Sequence, residues 1–529
     1  MTGVGQRSRA LGAVLGLVAA GSGLAVSELA SGLLHQRVSP VVAVAESILR
    51  LTPGAVVERV IGLVGHHDKA VLITMTLLGL AAISAAVGVL ALRSVLAAQG
   101  VFLVMGAVLV GAVHDRLTPS TVTYVPAVLG VVVALAALAL LSSLAQRAIV
   151  SPAREPAPWE QPDATRAHDP EAEGARALSR RRFLLAAGVL AAGAVVVGAS
   201  GRVLARSRAA VEAARSKLRL PVRARPSPAG ATLGVKGIAP WVTNQNDFYR
   251  IDTALAIPQI LPKDWQLRVH GMVDRELTLT YQDLLDRGLH EAWITLCCVS
   301  NPVGGDLISN ARFAGVRIAD VLADAGVHPD ADAVLSTSAD NWTAGTPLST
   351  LTDGRDAMFA LAMNGEPLTP EHGFPVRMVV PGLYGYVSGT KWVVDLEVSR
   401  FDQFSAFWTQ RGWSAKGPVK TQSRIDVPRN GSSVPAGDVV IAGVAWAQHT
   451  GIDKVEVRVD GGAWQPATLA VEPSIDSWRQ WSYTWPAKKG RHQLSVRATD
   501  ASGYTQTGQR VDVVPDGATG WDAIDVDVS

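Results

Sequence analysis

Long apolar segments before residue 205 constrain the fold of this chain more than any other feature. A helix needs about 20 apolar residues to cross a lipid bilayer. Five segments reach that length with few charges: residues 11–34, 71–92, 95–113, 122–144 and 183–204. The mean hydropathy of the chain, +0.22, is high for a soluble protein. We therefore predict an N-terminal α-helical transmembrane bundle of about four spans in residues 1–150 and an anchor helix at residues 183–204.

A sixth apolar segment, residues 41–64, is weaker. Four charged side chains interrupt it: Glu46, Arg50, Glu58 and Arg59. We interpret it as an interfacial or re-entrant pair of helices broken at Pro53 and Gly54, since both residues interrupt helices. If it also crosses the membrane, the number of spans becomes six.

The distribution of arginine predicts the orientation of these spans. Basic residues in short loops favour the cytoplasmic side, and Arg7, Arg9 and the cluster in residues 176–182 meet that condition. With five spans, everything after residue 204 lies outside the cytoplasm. The basic stretch 202–225 conflicts with this rule, because it would lie outside.

Residues 151–182 are predicted to be a cytoplasmic linker. Residues 151–177 are rich in Pro, Glu and Ala, a composition typical of disorder. The linker ends in Ser-Arg-Arg-Arg-Phe-Leu at residues 179–184, which resembles a twin-arginine export signal. The alternative is an ordinary basic flank that stops membrane transfer. Residues 205–235 are expected to be a second linker.

Charge and histidine placement exclude several function classes. The net charge of +2, with no basic run interleaved with aromatic residues, gives no indication of nucleic-acid binding. Haem binding between facing helices is disfavoured, because the relevant histidines lie at the predicted span ends rather than stacked within spans. These histidines are His35, His66, His67 and His114.

Residues 236–417 have the pattern of an α+β domain. Strands are predicted at residues 265–273, 293–297 and 333–338, because their side chains alternate or are β-branched. Thr280 is the expected N-cap of a short helix, and residues 316–325 form another short helix. Short strands and helices intermixed in this way predict an α+β fold.

Residues 418–529 have a different pattern. Strand-like segments at 439–446, 455–459, 478–485 and 493–499 are separated by turns. Regularly spaced short strands predict an immunoglobulin-like β-sandwich. The Asp-rich tail at residues 516–527 is interpreted as a solvated end, since its spacing does not match a calcium loop.

The only two cysteines, Cys297 and Cys298, are adjacent. They cannot form a disulfide framework, and a vicinal disulfide would be strained. Alternation along a strand places them on opposite faces, and Cys297 is expected to be a buried structural thiol. Cys298 begins a Gly-rich turn. A His-Gly-Phe-Pro-Val-Arg motif at residues 372–377 and Lys391 follow on later loops. A thiolate favours soft or high-valent metals, and Arg and Lys favour phosphate.

Together these motifs resemble the molybdopterin-binding domain of the sulfite oxidase family over residues 240–515. The resemblance implies a molybdenum–molybdopterin cofactor. In the family the molybdenum-ligating cysteine precedes a turn of small residues and Asn, which is Val299-Ser300-Asn301 here. This makes Cys298 the expected metal ligand.

The resemblance also implies two further sets of residues. The expected catalytic residues are Cys298, Arg250, Asn301 and Trp413. The expected cofactor-binding residues are Asn246, Tyr249, Arg250, Ser338, Asp340, His372, Arg377, Gly389, Thr390 and Lys391. Of these, Arg377 and Lys391 suit a buried phosphate, and Tyr384 is a further candidate for the pocket wall. The alternative for an isolated Arg or Lys is a solvated surface charge.

The chain departs from the family's sulfite-oxidising members. Those members carry arginines directly after the cysteine turn, where this chain has Pro302-Val303-Gly304-Gly305. They place a Tyr near the active centre, where the matching stretch here has Trp413. These differences argue against sulfite as the substrate, although Arg250 is retained and Arg479 is a further candidate for contacting an anion.

The expected function is that of a membrane-anchored, outward-facing oxidoreductase for oxygen-atom or two-electron transfer on a small substrate. Electrons would leave through an external redox partner, a cytochrome or a quinone-linked protein, because no haem or iron–sulfur ligand set is present in the sequence. The sandwich leaves a homodimer open, since some family members dimerise through it. The alternatives are a sulfite dehydrogenase proper and a catalytically inactive membrane scaffold or binding protein.

Overall fold

A computed structural model describes residues 2–34, 43–45, 47–48, 52, 68–114, 121–149, 185–191, 201–254 and 256–529. Their contacts form two compact units, residues 1–209 and 210–529. The twin-arginine-like motif and the linker 151–182 lie outside the described residues. So do half of the predicted span 183–204 and most of the segment 41–64.

The first unit contains four long apolar helices. They are α1 Thr2–Leu33, α2 Asp68–Ala91, α3 Val95–His114 and α4 Thr121–Ile149. Within them, the stretches Arg9–Ser31, Val71–Ala91, Val95–His114 and Thr123–Gln146 are long and apolar enough to cross a membrane. The four helices predicted in residues 1–150 are therefore confirmed as candidate spans.

Glycines bring α1 and α2 into close contact. A Cβ added at Gly88 would lie 2.0 Å from the Gly12 carbonyl oxygen, and one added at Gly16 would lie 1.8 Å from the Ser84 carbonyl oxygen. Lipid-embedded helices gain no hydrophobic driving force from pairing, so close backbone packing through small residues takes its place. The helix pair therefore depends on the absence of side chains at these positions.

The second unit contains helices α5 Gly201–Lys217, α6 Tyr281–Asp286, α7 Ile318–Ala325 and α8 Ser349–Thr352, of which α5 begins before the unit boundary. Part of the segment expected to be a linker, 205–235, is thus helical. Its Arg and Ala residues favour helix. Val211 is buried, and Arg215 Nε donates to the Leu368 carbonyl at 2.9 Å.

Two sheets form the α+β part of this unit. Their strands are β1 Gln266–Gly271, β2 Leu277–Thr280, β3 His290–Cys297, β4 Ile308–Arg317, β5 Ala333–Ser338, β6 Thr343–Pro347, β7 Met358–Met363, β8 Glu366–Pro367, β9 Arg377–Val379 and β10 Val393–Ser399. One sheet has the order β2-β1-β10-β5-β6, and the other has β3-β4-β7-β8 with β9 paired to β7. Only β1 and β10 pair in parallel among these strands.

Local sequence explains several of these elements. Thr280 caps α6 in a capping box with Asp283, as predicted. Helix α7 begins at Ile318 rather than at residue 316, because Val316 and Arg317 still pair with β7. Gly326 ends α7 in the left-handed conformation.

The remaining strands form the predicted β-sandwich. They are β11 Gln422–Val427, β12 Ser433–Val434, β13 Gly437–Trp446, β14 Ile452–Val459, β15 Gln465–Pro466, β16 Thr468–Leu469, β17 Arg479–Ala487, β18 Gly490–Asp500 and β19 Asp522–Val528. The two sheets have the orders β11-β13-β17-β16 and β12-β19-β18-β14-β15. Residues from both sheets, including Ile441, Trp481, Val455 and Val496, are fully or almost fully buried in one core between them.

Buried hydrogen bonds join the sandwich to the α+β part. The indole of Trp241 donates to the Trp478 carbonyl at 3.1 Å, and the indole of Trp478 donates to the Trp241 carbonyl at 2.9 Å. The Thr295 hydroxyl on β3 accepts a hydrogen bond from the Trp478 amide at 2.7 Å. The Thr295 amide donates to the Asp476 carbonyl at 2.8 Å. The strand that ends at the cysteines is therefore fixed to the sandwich.

The glycine contact in the first unit leads to a prediction. Gly88→Val should destabilise the protein in detergent by about 2 kcal/mol, because the new side chain overlaps the α1 backbone. Gly79→Val is the matched control, since Gly79 lies on the same helix and a Cβ there meets nothing within 4 Å. Thermal unfolding of the two variants measures the difference, and equal midpoints would contradict the packing argument.

Candidate functional site

Cys298 lies directly after β3 and is buried, with 8% of its surface exposed. Its amide donates to the Leu307 carbonyl at 2.9 Å. Burial raises the pKa of the Cys298 thiol, and hydrogen bonds from Ser300 and the nearby Lys391 ammonium oppose that effect. Cys297 belongs instead to the main hydrophobic cluster, as strand alternation predicted. Both cysteines are free thiols.

Asn301 organises the turn that follows Cys298. It is buried, its amide N–H donates to the Cys298 carbonyl at 3.1 Å, and its Oδ1 accepts the Leu307 amide at 2.9 Å. A Cβ added at Gly305 would lie only 2.5 Å from Asn301 Oδ1. The turn is therefore closed around the Asn301 side chain, which holds the backbone that carries Cys298.

Two buried cations, Arg377 and Lys391, lie side by side in a β-bridge. Arg377 donates to the His372 carbonyl at 3.4 Å and the Met378 carbonyl at 3.3 Å. No carboxylate lies within ion-pair distance of it among the described residues. Burial lowers the pKa of Arg377 to about 10. An uncompensated buried guanidinium costs free energy, so this position suits an anion that is not part of the chain.

Lys391 shares one carboxylate with Arg250. Its Nζ lies 3.1 Å from Asp252 Oδ2 and 2.9 Å from the Glu371 carbonyl oxygen. Arg250 Nε lies 3.0 Å from the same Asp252 oxygen, and the Arg250 side chain is 42% exposed. Arg250, Arg377 and Lys391 thus have one carboxylate between them, and the local charge is positive.

His372 is buried beside these cations. Burial, together with the charges of Arg377 and Lys391, lowers its pKa to about 3, so the imidazole is neutral. Its Nε2 lies 2.9 Å from the Gln245 carbonyl oxygen, which can only accept a hydrogen bond. The proton is therefore on Nε2, and Nδ1 is a buried acceptor with no partner in the described part of the chain.

Tyr249 and Asn246, two of the expected cofactor-binding residues, differ in burial. Tyr249 is half-buried, and its pKa is raised well above the ordinary value by burial and by the nearby Cys298 and Cys297 thiols, while Arg377 opposes the rise. Tyr249 thus lies within electrostatic range of both the cysteine and the arginine. Asn246 is exposed on the preceding loop.

Strand β5 and the loop before β10 supply the other predicted cofactor residues. The Ser338 hydroxyl donates to Asp340, whose pKa burial raises. Ser338 pairs with Val393, close to Lys391 along the chain. Thr390 is fully buried and hydrogen-bonds Ser336 through the two hydroxyls at 2.7 Å.

Two glycines pack against Arg377. A Cβ added at Gly389 would lie 3.5 Å from Arg377 Nη2. Gly373 has a φ of +104°, and a Cβ there would lie 2.9 Å from the Arg377 Cβ. Glycine is required at this close approach of two loops. The structure therefore brings together Tyr249, Arg250, Ser338, Asp340, His372, Arg377, Gly389, Thr390 and Lys391.

Trp413 lies in the main hydrophobic cluster rather than in this charged group. Its ring centroid is 5.8 Å from that of Tyr386 and 6.2 Å from that of Trp408. Its indole Nε1 is buried without a partner in the described part of the chain. Tyr384 is in the same cluster, and the charges of the two thiols contribute to raising its pKa, after burial as the main cause.

One residue of this site was missed and one candidate was wrong. Sequence reasoning assigned no role to Asp252, although its position two residues after Arg250 was a usable signal. Arg479 does not serve an anion site. It donates to the Ile452 carbonyl at 2.6 Å and the Ala470 carbonyl at 2.7 Å, because its strand places it within the sandwich.

Known families match both parts of the second unit. A family described as the oxidoreductase molybdopterin binding domain matches residues 254–408, and a bacterial Ig domain family matches residues 422–496. The uncharacterized oxidoreductase YuiH of Bacillus subtilis is 34% identical over 153 residues, which are 29% of this chain and 74% of that protein.

Two further proteins that are similar to this chain have a named activity. Mitochondrial sulfite oxidase of Homo sapiens is 31% identical over 290 residues, which are 46% of this chain and 53% of that protein. The chain thus spans about half the length of this relative. The structure of the sulfane dehydrogenase SoxCD from Paracoccus pantotrophus covers 57% of this chain and 87% of that chain, at 23% identity and a TM-score of 0.48.

The lowered pKa of Lys391 predicts a pH effect on stability. Burial lowers this pKa from 10.5 to about 8. Between these values the unfolded chain binds the proton and the folded chain does not, so the free energy of unfolding rises with pH. For cofactor-free protein we expect this group to add about 2 kcal/mol between about pH 7.5 and about pH 9.5.

Urea unfolding at several pH values measures the free energy of unfolding of wild type and of Lys391→Met. The contribution of Lys391 is the difference between their changes with pH. Lys420→Met is the control, since the Lys420 side chain is 28% exposed and paired with Asp516. The control should keep the pH dependence of the wild type. A Lys391→Met variant that also keeps it would contradict the burial of this charge.

Proposed function

Because the chain belongs to the sulfite oxidase family of molybdopterin oxidoreductases, we propose that it is a membrane-anchored, outward-facing enzyme for oxygen-atom or two-electron transfer on a small substrate. The single observation that carries the cofactor assignment to particular residues is the buried pair Arg377 and Lys391. Together with Arg250 they supply three positive charges against the one carboxylate of Asp252. A phosphate dianion would bring that local charge to zero.

The donor set fits the phosphate-bearing end of molybdopterin. Arg377 Nη2 lies beside Gly389, where an added Cβ would be 3.5 Å from it. Its fork can bind two phosphate oxygens at once, and Lys391 adds a point charge. Buried groups of this kind need an anionic partner, and among the described residues no carboxylate lies within ion-pair distance of Arg377, whereas Lys391 and Arg250 share Asp252.

His372 has a more specific role than charge neutralisation. Its Nδ1 is an acceptor, because Nε2 carries the proton. An ionised phosphate oxygen is also an acceptor and cannot satisfy it. We therefore assign Nδ1 to an N–H or O–H donor of the cofactor. Tyr249, Ser338, Asp340, Thr390 and Asn246 are proposed to line the rest of the binding groove.

Cys298 is proposed as the protein ligand of the metal. The bound cofactor supplies the oxygen-atom and two-electron chemistry. Burial raises the pKa of the Cys298 thiol, and hydrogen bonds from Ser300 and the charge of Lys391 partly offset that rise. Asn301 keeps the ligand in place by closing the turn, and Trp413 and Tyr384 are proposed to exclude water from the adjoining wall.

Two alternatives are less well supported. A sulfite dehydrogenase would need cations after the cysteine turn, where Pro302 and the residues up to Gly305 carry no charge. Arg250, the retained cation, is already paired with Asp252. An inactive scaffold would keep the desolvation cost of Arg377 with no ligand to offset it.

The apolar helices of the first unit support membrane anchoring. If the predicted span 183–204 also crosses, five spans place residues 210–529 outside the cytoplasm. Electrons would then pass to an external partner, a cytochrome or a quinone-linked protein. We infer this because the described residues contain no cluster of His, Cys, Asp and Glu able to hold a second metal.

The adjacent thiols give a direct test of the enzyme. Cys298→Ser should abolish turnover and change the molybdenum spectrum, because the metal loses its thiolate ligand. Cys297→Ala is the matched control. It should keep the metal and cost about 1 kcal/mol of stability, since a buried thiol of similar size is removed. Metal analysis and electron paramagnetic resonance measure both, and metal-free wild type from a molybdopterin-competent host would disprove the enzyme assignment.

The orientation has its own test. A maleimide reagent that does not cross membranes should label Ser502→Cys in intact cells, because this sandwich loop is exposed and predicted to lie outside. Ala157→Cys in the predicted cytoplasmic linker should react only after lysis. The reverse labelling pattern would overturn the outward orientation.

A further inference from the structure

An arginine of the sandwich reaches the turn that follows Cys298. Arg424 on β11 donates from Nη1 to the Gly305 carbonyl at 2.8 Å and from Nε to Asp426 Oδ1 at 2.7 Å. The side chains of Arg424 and Asp426 are 12% and 9% exposed. Asp426 Oδ2 also accepts the Ala239 amide of the α+β part at 2.8 Å. This ion pair is thus anchored to the other domain at two points.

We propose that Arg424 is a positioning residue that fixes the cysteine turn, and with it the Cys298 sulfur, from the neighbouring sandwich domain. The inference rests on the proposed role of Cys298 as metal ligand. Charge-assisted hydrogen bonds are about twice as strong as neutral ones. The bond to Gly305 is therefore a strong contact between the sandwich and this turn.

A second sandwich residue, Asp522 on β19, closes on the same turn. Gly304 has a φ of +77°, and a Cβ added there would lie 2.5 Å from Asp522 Oδ1. Asp522 Oδ2 accepts the Ile425 amide at 2.8 Å, next to Arg424 in β11. Strands β11 and β19 thus both contact this turn, and a larger residue at 304 would have to displace the Asp522 carboxylate from its bond with Ile425.

The turn transmits this contact to Cys298 through short hydrogen bonds. The Gly305 amide donates to the Pro302 carbonyl at 2.9 Å, and the Leu307 amide donates to Asn301 Oδ1 at 2.9 Å. Leu307 in turn accepts the Cys298 amide. A displaced Gly305 would therefore disturb the two anchors of Cys298 at Asn301 and Leu307.

The position of the sandwich is itself fixed, which makes Arg424 a rigid support. The reciprocal Trp241–Trp478 bonds and the contacts of Thr295, three residues before Cys298, hold the two domains together. The charge of Arg424 is neutralised by Asp426. Its effect on the site is thus geometric, and it adds no positive charge for an anionic substrate.

Hydrogen–deuterium exchange of the full chain in detergent tests this role, using peptides that cover residues 298–307. In cofactor-free protein, Arg424→Met should speed exchange in these peptides about tenfold or more, because a charge-assisted bond to the turn is lost. Arg424→Lys should give an intermediate rate, since one ammonium cannot reproduce both arms of the guanidinium.

Arg479→Met is the matched control. Arg479 is also a partly buried arginine of the sandwich that donates to two carbonyls, but both carbonyls belong to the sandwich. It should lower the thermal midpoint to a similar extent and leave exchange at residues 298–307 at the wild-type rate. In metal-loaded protein, only Arg424→Met should alter the molybdenum resonance spectrum.

Two outcomes would overturn the proposal: unchanged exchange in Arg424→Met, or an equal increase in Arg479→Met, which would mean that the turn loosens only through general destabilisation. Wild-type protein without molybdenum would instead reject the proposed function. The exchange comparison in cofactor-free protein still decides whether Arg424 braces the turn, so the two failures are distinguishable.

Discussion

The burial of Arg377 and Lys391 is the constraint on which the site depends. Moving cations out of water costs several kcal/mol each unless partners replace the lost hydration. Asp252 pairs with Lys391 and Arg250, and within the described part of the chain Arg377 has only carbonyl oxygens as partners. The fold meets this cost through the surrounding core and the close loop contact at Gly373. It thereby prepares an anion site before any anion is bound, and preorganisation of this kind reduces the free-energy cost of binding.

The second structural requirement is that two domains build one site. Strand β3 is fixed by Trp478 and Asp476 of the sandwich at Thr295, and the turn after its end is contacted by Arg424 and Asp522. Cys298 lies between these two contacts. The sandwich therefore acts on the position of the cysteine although none of its residues is proposed to touch the metal. A β-sandwich suits this task, because its strands are stiff and its core is independent of the α+β sheets.

Local patterns in the sequence predicted much of this arrangement, and long-range contacts were beyond them. Alternation correctly placed Cys297 in the core and Cys298 at the end of β3, since both follow from strand geometry. The pairing of Asp252 with Arg250 could have been predicted from their spacing, but its contact with Lys391 could not, because Lys391 is 139 residues away in sequence. Arg479 was misjudged for a similar reason: its strand pairing, not its residue type, directs it into the sandwich. The helix in the expected linker forms because Val211 and Arg215 dock on a distant part of the chain.

The charges of the site also bear on its substrate. Arg250, Arg377 and Lys391 carry three positive charges and Asp252 carries one negative charge, so a phosphate dianion would leave this group neutral. A neutral group gives no long-range attraction to an anion such as sulfite. Sulfite-oxidising relatives add arginines on the cysteine turn, whereas this turn is packed against Asp522 at Gly304 and against Asn301 at Gly305. A side chain at Gly304 would have to displace the Asp522 carboxylate, and one at Gly305 would have to displace Asn301 within the turn itself. The packing of this turn thus leaves no room for larger residues at either glycine without a shift of Asp522 or Asn301.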